Sequence, residues 1–194
     1  GGRALGWNLS GFLALWLTFL GTLLLARHYT ADPWIAALAA LLAITLPYRW
    51  INLAGGSPTG FAMMWVPWLM LGLDQAARES RARGGLLAGL AILMASWGDT
   101  HVFYFSALLI PCWSALALLG RPQLPGRDVR GWLRLGLAFT PAAAGAGAAF
   151  LCSKLMTRHI GSTRSAAGRT LDEVRLFSPR TEGFWTWHES GVSN

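Results

Sequence analysis

From Trp7 to Ala26 the chain runs for twenty residues without a charge. A helix of about 20 apolar residues crosses the ~30 Å hydrocarbon core of a bilayer. In lipid such a helix satisfies its own backbone groups and needs no protein cover. The run therefore predicts a membrane helix, and the rest of the chain agrees with it. Of 194 residues, 54% are hydrophobic and 13% charged, against about 25% charged in an ordinary soluble domain. That excludes a disordered chain, which needs low hydrophobicity. It also excludes a coiled coil, which needs sustained charged heptads.

Further apolar segments follow the first. They are Trp34 to Tyr48, Phe61 to Leu73 with Pro67 inside it, Gly85 to Gly98, Val102 to Leu119, and the Ala- and Gly-rich Leu135 to Leu151. Segments shorter than the bilayer core cross with local thinning or re-enter. The expected fold is all-α: a polytopic transmembrane helical bundle of about six membrane segments over 1–156. A C-terminal extracytoplasmic segment over 157–194 follows. The chain starts at Gly1 and ends in a polar stretch at Asn194, which suggests an internal fragment of a longer membrane protein.

The net charge of +7 invites a nucleic-acid reading, but its distribution argues against one. Half of the basic residues lie in short gaps between apolar segments, where topology charges belong. Alternate gaps carry Arg27, then Arg78, Arg81 and Arg83, then Arg121, Arg127, Arg130 and Arg134. The positive-inside rule puts these gaps in the cytoplasm. The Arg49 to Gly60 loop, the Gly98 to His101 turn and the tail after Lys154 then face outward. Cys112 and Cys152 match no metal or redox spacing and read as small buried apolar residues. Gly11, Gly21, Gly85, Gly89 and the run Ala142 to Ala149 allow close helix approach. Trp50, Trp65, Trp68, Trp97, Trp185 and Trp187 read as an interface belt, with a sugar-stacking platform as the sharper alternative.

Asp99 is the most informative polar residue in the apolar region. A carboxylate between two membrane arms is costly unless solvated, paired or functional. With His101 two residues on, it could move a proton or bind a hydroxyl-rich ligand. It could equally cap the following helix. Arg49 is the lone basic group of its outward loop. It could hold a phosphate through paired N–H donors or snorkel to lipid headgroups. The Gly55-Gly56-Ser57 turn matches no nucleotide loop, because no Lys-Ser/Thr follows. In the tail, Thr170 and Glu173 form a capping box, and Phe184, Trp185, Trp187, His188 and Glu189 could line a site or anchor on the membrane surface. No nucleophile triad and no metal spacing appear in the sequence, so neither a metal nor a cofactor is expected.

Several stretches carry a resemblance. Tyr48-Arg49, Leu53-Ala54-Gly55-Gly56, Met64-Trp65-Val66-Pro67-Trp68 and Leu71-Gly72-Leu73-Asp74 resemble bacterial polytopic membrane glycosyltransferases of the GT-C superfamily, in or near the YfhO-like branch. The Arg78 to Arg83 turn, the polar tip Gly98 to His101, and Gly168 to Val174 with Phe177-Ser178-Pro179 extend the likeness over roughly 45–180. Gly56-Ser57 stands where such proteins often show Gly-His. The resemblance implies transfer of a sugar from a polyprenyl-phosphate donor to an extracytoplasmic acceptor, in the bacterial inner membrane. It places the catalytic acid in a loop upstream of Gly1, so no catalytic residue is assigned in this chain. Arg49 is then the expected phosphate contact, and Asp99 and His101 the expected substrate contacts. The expected partners are the lipid bilayer and the lipid-phosphate-linked sugar donor, with no nucleic acid. The alternatives are a transporter or flippase for a lipid-linked or small solute, and a non-catalytic membrane scaffold.

Overall fold

Proline and capping side chains punctuate the chain into helices. In the computed structural model, which describes residues 2–121, 125 and 128–160, all regular structure is helical. Helix α1 spans Gly2–Tyr29. Asp32 then accepts the Trp34 and Ile35 N–H groups and, with Pro33 at the first position, starts α2 (Pro33–Thr45). An N-cap carboxylate followed by proline satisfies or removes donors that a helix start leaves unpaired. Leu46 breaks the helix before Pro47, and α3 (Pro47–Ala54) leaves at 43° to α2. Ser57 and Pro58 start the short α4 (Pro58–Ala62), and a 3₁₀ turn (Met63–Trp65) leads into α5 (Val66–Glu79). Helix α6 covers Ala82–Gly98, α7 Thr100–Leu119 and α8 Val129–Ile160.

Among the described residues, three helices are long and apolar enough to cross a membrane: Leu5–Tyr29 in α1, Thr100–Leu119 and Val129–Met156. The bent pair α2–α3 makes a fourth if it counts as one span, and α6 is apolar but shorter. In the three long helices only 17%, 22% and 22% of the most apolar stretch is covered by protein. Leu, Trp and Phe side chains such as Phe12, Leu38, Phe105 and Leu137 stand uncovered. Apolar surface on that scale is incompatible with water and natural in lipid. The chain is a membrane protein on this ground.

The sequence segments and the helices differ in informative ways. Trp34 to Tyr48 is split at Leu46, because the residue before a proline is pushed out of the helical region. The Arg49 to Gly60 stretch, expected as a loop, is mostly helical, as α3 and α4 joined by a turn at Gly55-Gly56. Phe61 to Leu73 is cut by the 3₁₀ turn, and α5 then runs on to Glu79, carrying Asp74 inside the protein. Cys112 is exposed and Cys152 half-buried, which corrects their reading as buried residues.

The chain divides into two compact units, Gly1–Ser153 and Lys154–Asn194. In the first, α5 packs on α6, α7 and α1. Leu69, Leu73, Ala88, Ile92, Phe103, Ala142 and Ala149 form its main core cluster, with Trp65, Trp68 and Trp113 packed against it. Trp68 donates to the Leu17 carbonyl at 3.0 Å, so Trp65 and Trp68 serve the core and not an interface belt. Gly72 and Gly84 let α5 and α6 touch backbone to backbone, and Gly85 and Gly89 do the same against Ala138, Pro141 and Gly145 of α8. Small residues at such crossings replace a hydrophobic drive that lipid cannot supply. Gly11 instead faces open space. Of the second unit only 154–160, the end of α8, is described. The tail features from Arg164 to Glu189, including the Thr170–Glu173 box and Trp185 and Trp187, lie outside the described residues, as does Arg127.

Candidate functional site

The first polar centre sits at the break between α6 and α7. Asp99 is in extended conformation there, and its Oδ1 accepts the Val102 N–H at 2.9 Å, capping α7. Oδ2 accepts the Thr59 hydroxyl at 3.0 Å. Thr59 is brought across because Gly98 leaves room for Ala62 of α4 against the end of α6. Ser57 in turn donates to Thr59 Oγ1 at 3.0 Å. The carboxylate is thus oriented from two helices and is only 11% exposed, while His101 is 84% exposed with Nδ1 3.6 Å from Asp99 Oδ1. The structure assembles the expected Asp99–His101 pair, and it also realises the capping role of Asp99.

A cavity of about 460 Å³ opens beside this pair. Its walls are mainly apolar, with Met63, Val66, Val102, Phe105 and Leu109, and its polar groups come from Tyr48, Thr59, His101 and Ser106. A second cavity of about 520 Å³ lies between α1 and α3, with Trp7, Asn8, Trp50 and Phe61 in its walls. Arg49 is placed differently from the other two expected residues. It is 2% exposed, and its guanidinium donates to the Ala14 carbonyl of α1 at 3.4 Å. Its neighbour Tyr48, not Arg49, shares the cavity with His101.

The second polar centre joins the ends of α1, α5 and α7. Asp74 is 0% exposed. Its Oδ1 accepts the Tyr29 hydroxyl at 2.6 Å and Arg78 Nε at 2.9 Å, and His28 Nε2 lies 2.9 Å from Oδ2. The Arg78 guanidinium stacks 4.7 Å over the Tyr29 ring and donates to the Gly120 carbonyl at 3.3 Å. Arg121 donates to the Ala77 carbonyl and to Ser80 Oγ, at 2.9 and 3.0 Å. Charges removed from water hold only when paired and hydrogen-bonded to this degree. Sequence reasoning assigned Asp74 no role. One signal was present: an acid ending an apolar run, with Arg78 one helical turn on, is the spacing of a helix ion pair.

The two centres gather at opposite ends of the interrupted segments. Asp99, Thr59 and the Trp7–Phe61 ring pair mark one end. His28, Arg78, Arg81 and Arg121 mark the other. No protein family, curated protein or solved structure matches this chain.

Proposed function

We propose that the chain is part of an integral membrane glycosyltransferase that moves a sugar from a polyprenyl-phosphate donor to an extracytoplasmic acceptor. The observation that carries this reading is the Asp99–Thr59–His101 centre, an oriented carboxylate and an exposed imidazole at the lip of an apolar cavity. A substrate with a hydroxyl-rich head and a lipid tail needs polar contacts at the membrane boundary and apolar cover beside them. Asp99 and His101 bind the sugar-bearing head. Arg49 holds α3 on α1 in the described structure, and phosphate contact by its guanidinium requires that α3 shift. The Asp99 end faces outward from a bacterial inner membrane, because the Arg-rich end stays in the cytoplasm. The chain crosses it with about six segments, the short ones in part re-entrant.

The test is sugar transfer from a radiolabelled polyprenyl-phosphate donor in membranes containing the protein. Asp99→Asn keeps an N-cap side chain but removes the charge. Together with His101→Ala it should reduce transfer at least ~10-fold, the scale of lost oriented polar contacts. Wild-type transfer in both variants would reject the reading. Transport of a lipid-linked or small solute is the second reading, and the fully buried Asp74 with His28 and Arg78 is the observation that favours it. Ionisable groups inside membrane segments mark ion and proton pathways. Donor-independent solute flux into vesicles, abolished by Asp74→Asn, would favour transport over transfer.

A further inference from the structure

The second cavity, between α1 and α3, has no part in the Asp99–His101 centre. Trp7 and Asn8 of α1, Trp50 of α3 and Phe61 of α4 stand in its walls. The Trp7 ring is fixed in place. Phe61 meets it edge-on at 4.7 Å, and the turn at Gly56 passes so close that a Cβ there would touch it at 3.8 Å. Trp7, Asn8 and Trp50 are all exposed. Neither indole N–H, nor the Asn8 amide, has a hydrogen-bond partner among the described residues. Polar groups nearby close their bonds within the chain: Ser10 donates to the Gly6 carbonyl and the Asn52 amide to the Tyr48 carbonyl, both at 2.8 Å. A belt tryptophan lies singly at the headgroup level. Here two indoles and an amide share one concavity, and one of the rings is held from two sides.

These walls narrow the ligand. An acyl chain would cover the rings but leave the amide and both N–H groups without partners, which is costly away from water. A quaternary ammonium suits aromatic faces, but indole N–H groups are donors only and point positive charge at it, and no acidic residue lines the cavity. A pyranose ring meets every demand. Its C–H face is apolar and lies flat on an indole. Its hydroxyl oxygens accept from the indole N–H groups, and its hydroxyls exchange bonds with the amide, which both donates and accepts. The volume, about 520 Å³, is that of a small-molecule site.

We propose that this cavity is a carbohydrate subsite that seats one pyranose ring, stacked on Trp50 and hydrogen-bonded to Asn8. Binding needs no other assumption. The use of the site rests on the transferase reading, in which the ring belongs to the acceptor. Helices α3 and α4 form a partition there: Tyr48 and Thr59 line the first cavity, Trp50 and Phe61 the second. The seated ring is therefore not the one that reacts at Asp99 and His101, and the acceptor is a glycan of more than one sugar.

The experiment is saturation-transfer NMR of the full chain in phospholipid nanodiscs. The probes are the methyl glycosides of β-D-glucose, β-D-galactose and α-D-mannose, with glycerol and choline as comparisons. At least one glycoside should receive saturation, strongest at the C–H hydrogens of one ring face, and glycerol, which has no such face, should receive none. In titrations Trp50→Leu should weaken that glycoside about 10-fold, the scale of a lost aromatic anchor. Asn8→Leu should weaken it about 2- to 12-fold, the worth of one hydrogen bond. Both side chains are exposed, so neither variant endangers the fold. The Asp99→Asn, His101→Ala chain should bind as wild type does. Binding by a chain without transfer activity keeps this site and rejects only the transferase reading. Saturation of no glycoside would overturn the proposal, as would saturation of choline instead. Wild-type affinity in Trp50→Leu, or loss of binding in the Asp99→Asn, His101→Ala chain, would overturn it too, by placing the sugar elsewhere.

Discussion

Two aspartates, Asp74 and Asp99, are both set in apolar surroundings and are held in opposite ways. Asp99 keeps its capping bond and a single hydroxyl partner, with an exposed imidazole beside it. Asp74 is enclosed by a phenol, a guanidinium and an imidazole. Removing one member of a buried charge group leaves the others unpaired, at about 3–5 kcal/mol. Asp74→Ala should therefore lower the melting temperature in detergent sharply, and a melting point equal to wild type would show the group to be dispensable. Tyr29→Phe should cost less, about 1.5–3 kcal/mol for a hydrogen bond to a charge, because the ring remains under Arg78. Asp99 was legible in the sequence because it interrupts two apolar arms. Asp74 was legible only through its helical spacing to Arg78, because its other partners His28 and Tyr29 lie 46 and 45 positions away, and only the packing of α1 on α5 brings them near.

At the scale of elements, glycines with similar sequence surroundings do different work. Gly85 and Gly89 press against the backbone of α8, while Gly11 faces open space. Gly85→Val should drive α6 from α8 and destabilise by about 1–3 kcal/mol, the usual cost of overpacking. Gly11→Ala should be neutral to stabilising, by up to about 1 kcal/mol, because nothing stands in the way of the added methyl and alanine is the better helix former. Paired melting curves check both, and equal losses would mean that the α6–α8 crossing is not tight. The long helices were plain from hydropathy alone. The breaks at Leu46 and Met63–Trp65 were less so, because an apolar run has the same composition whether it continues, bends or tightens into a 3₁₀ turn. Proline marked the first of them, before Pro47, and the N-terminus of α5 at Pro67.

For the Gly1–Ser153 unit the decisive quantity is which end faces which side of the membrane. In a chain with Cys112 and Cys152 replaced by alanine, single cysteines at two exposed positions report it. Ala54→Cys, near the Asp99 end, should react with an impermeant thiol reagent from outside intact cells. Ala82→Cys, at the Arg-rich end, should react only after permeabilisation. The reverse pattern would invert the topology and remove the outward assignment of Asp99 and His101.

The sequence by itself determined that the chain is helical and apolar enough to lie in a membrane, because a helix over an uncharged run of this length satisfies its own backbone groups in lipid. It also determined where the basic residues alternate, and it marked Asp99 and His101, since two residues apart on one chain they stay close in any fold. Only the tertiary structure decided that Arg49 turns into the protein, that Thr59 orients Asp99, and that Asp74 ties three helix ends together. Each of these depends on which side of a helix meets which neighbour. In a chain apolar on nearly every side, hydropathy carries no signal for that choice, and it is made by close packing of small residues and by the few polar groups that must find one another.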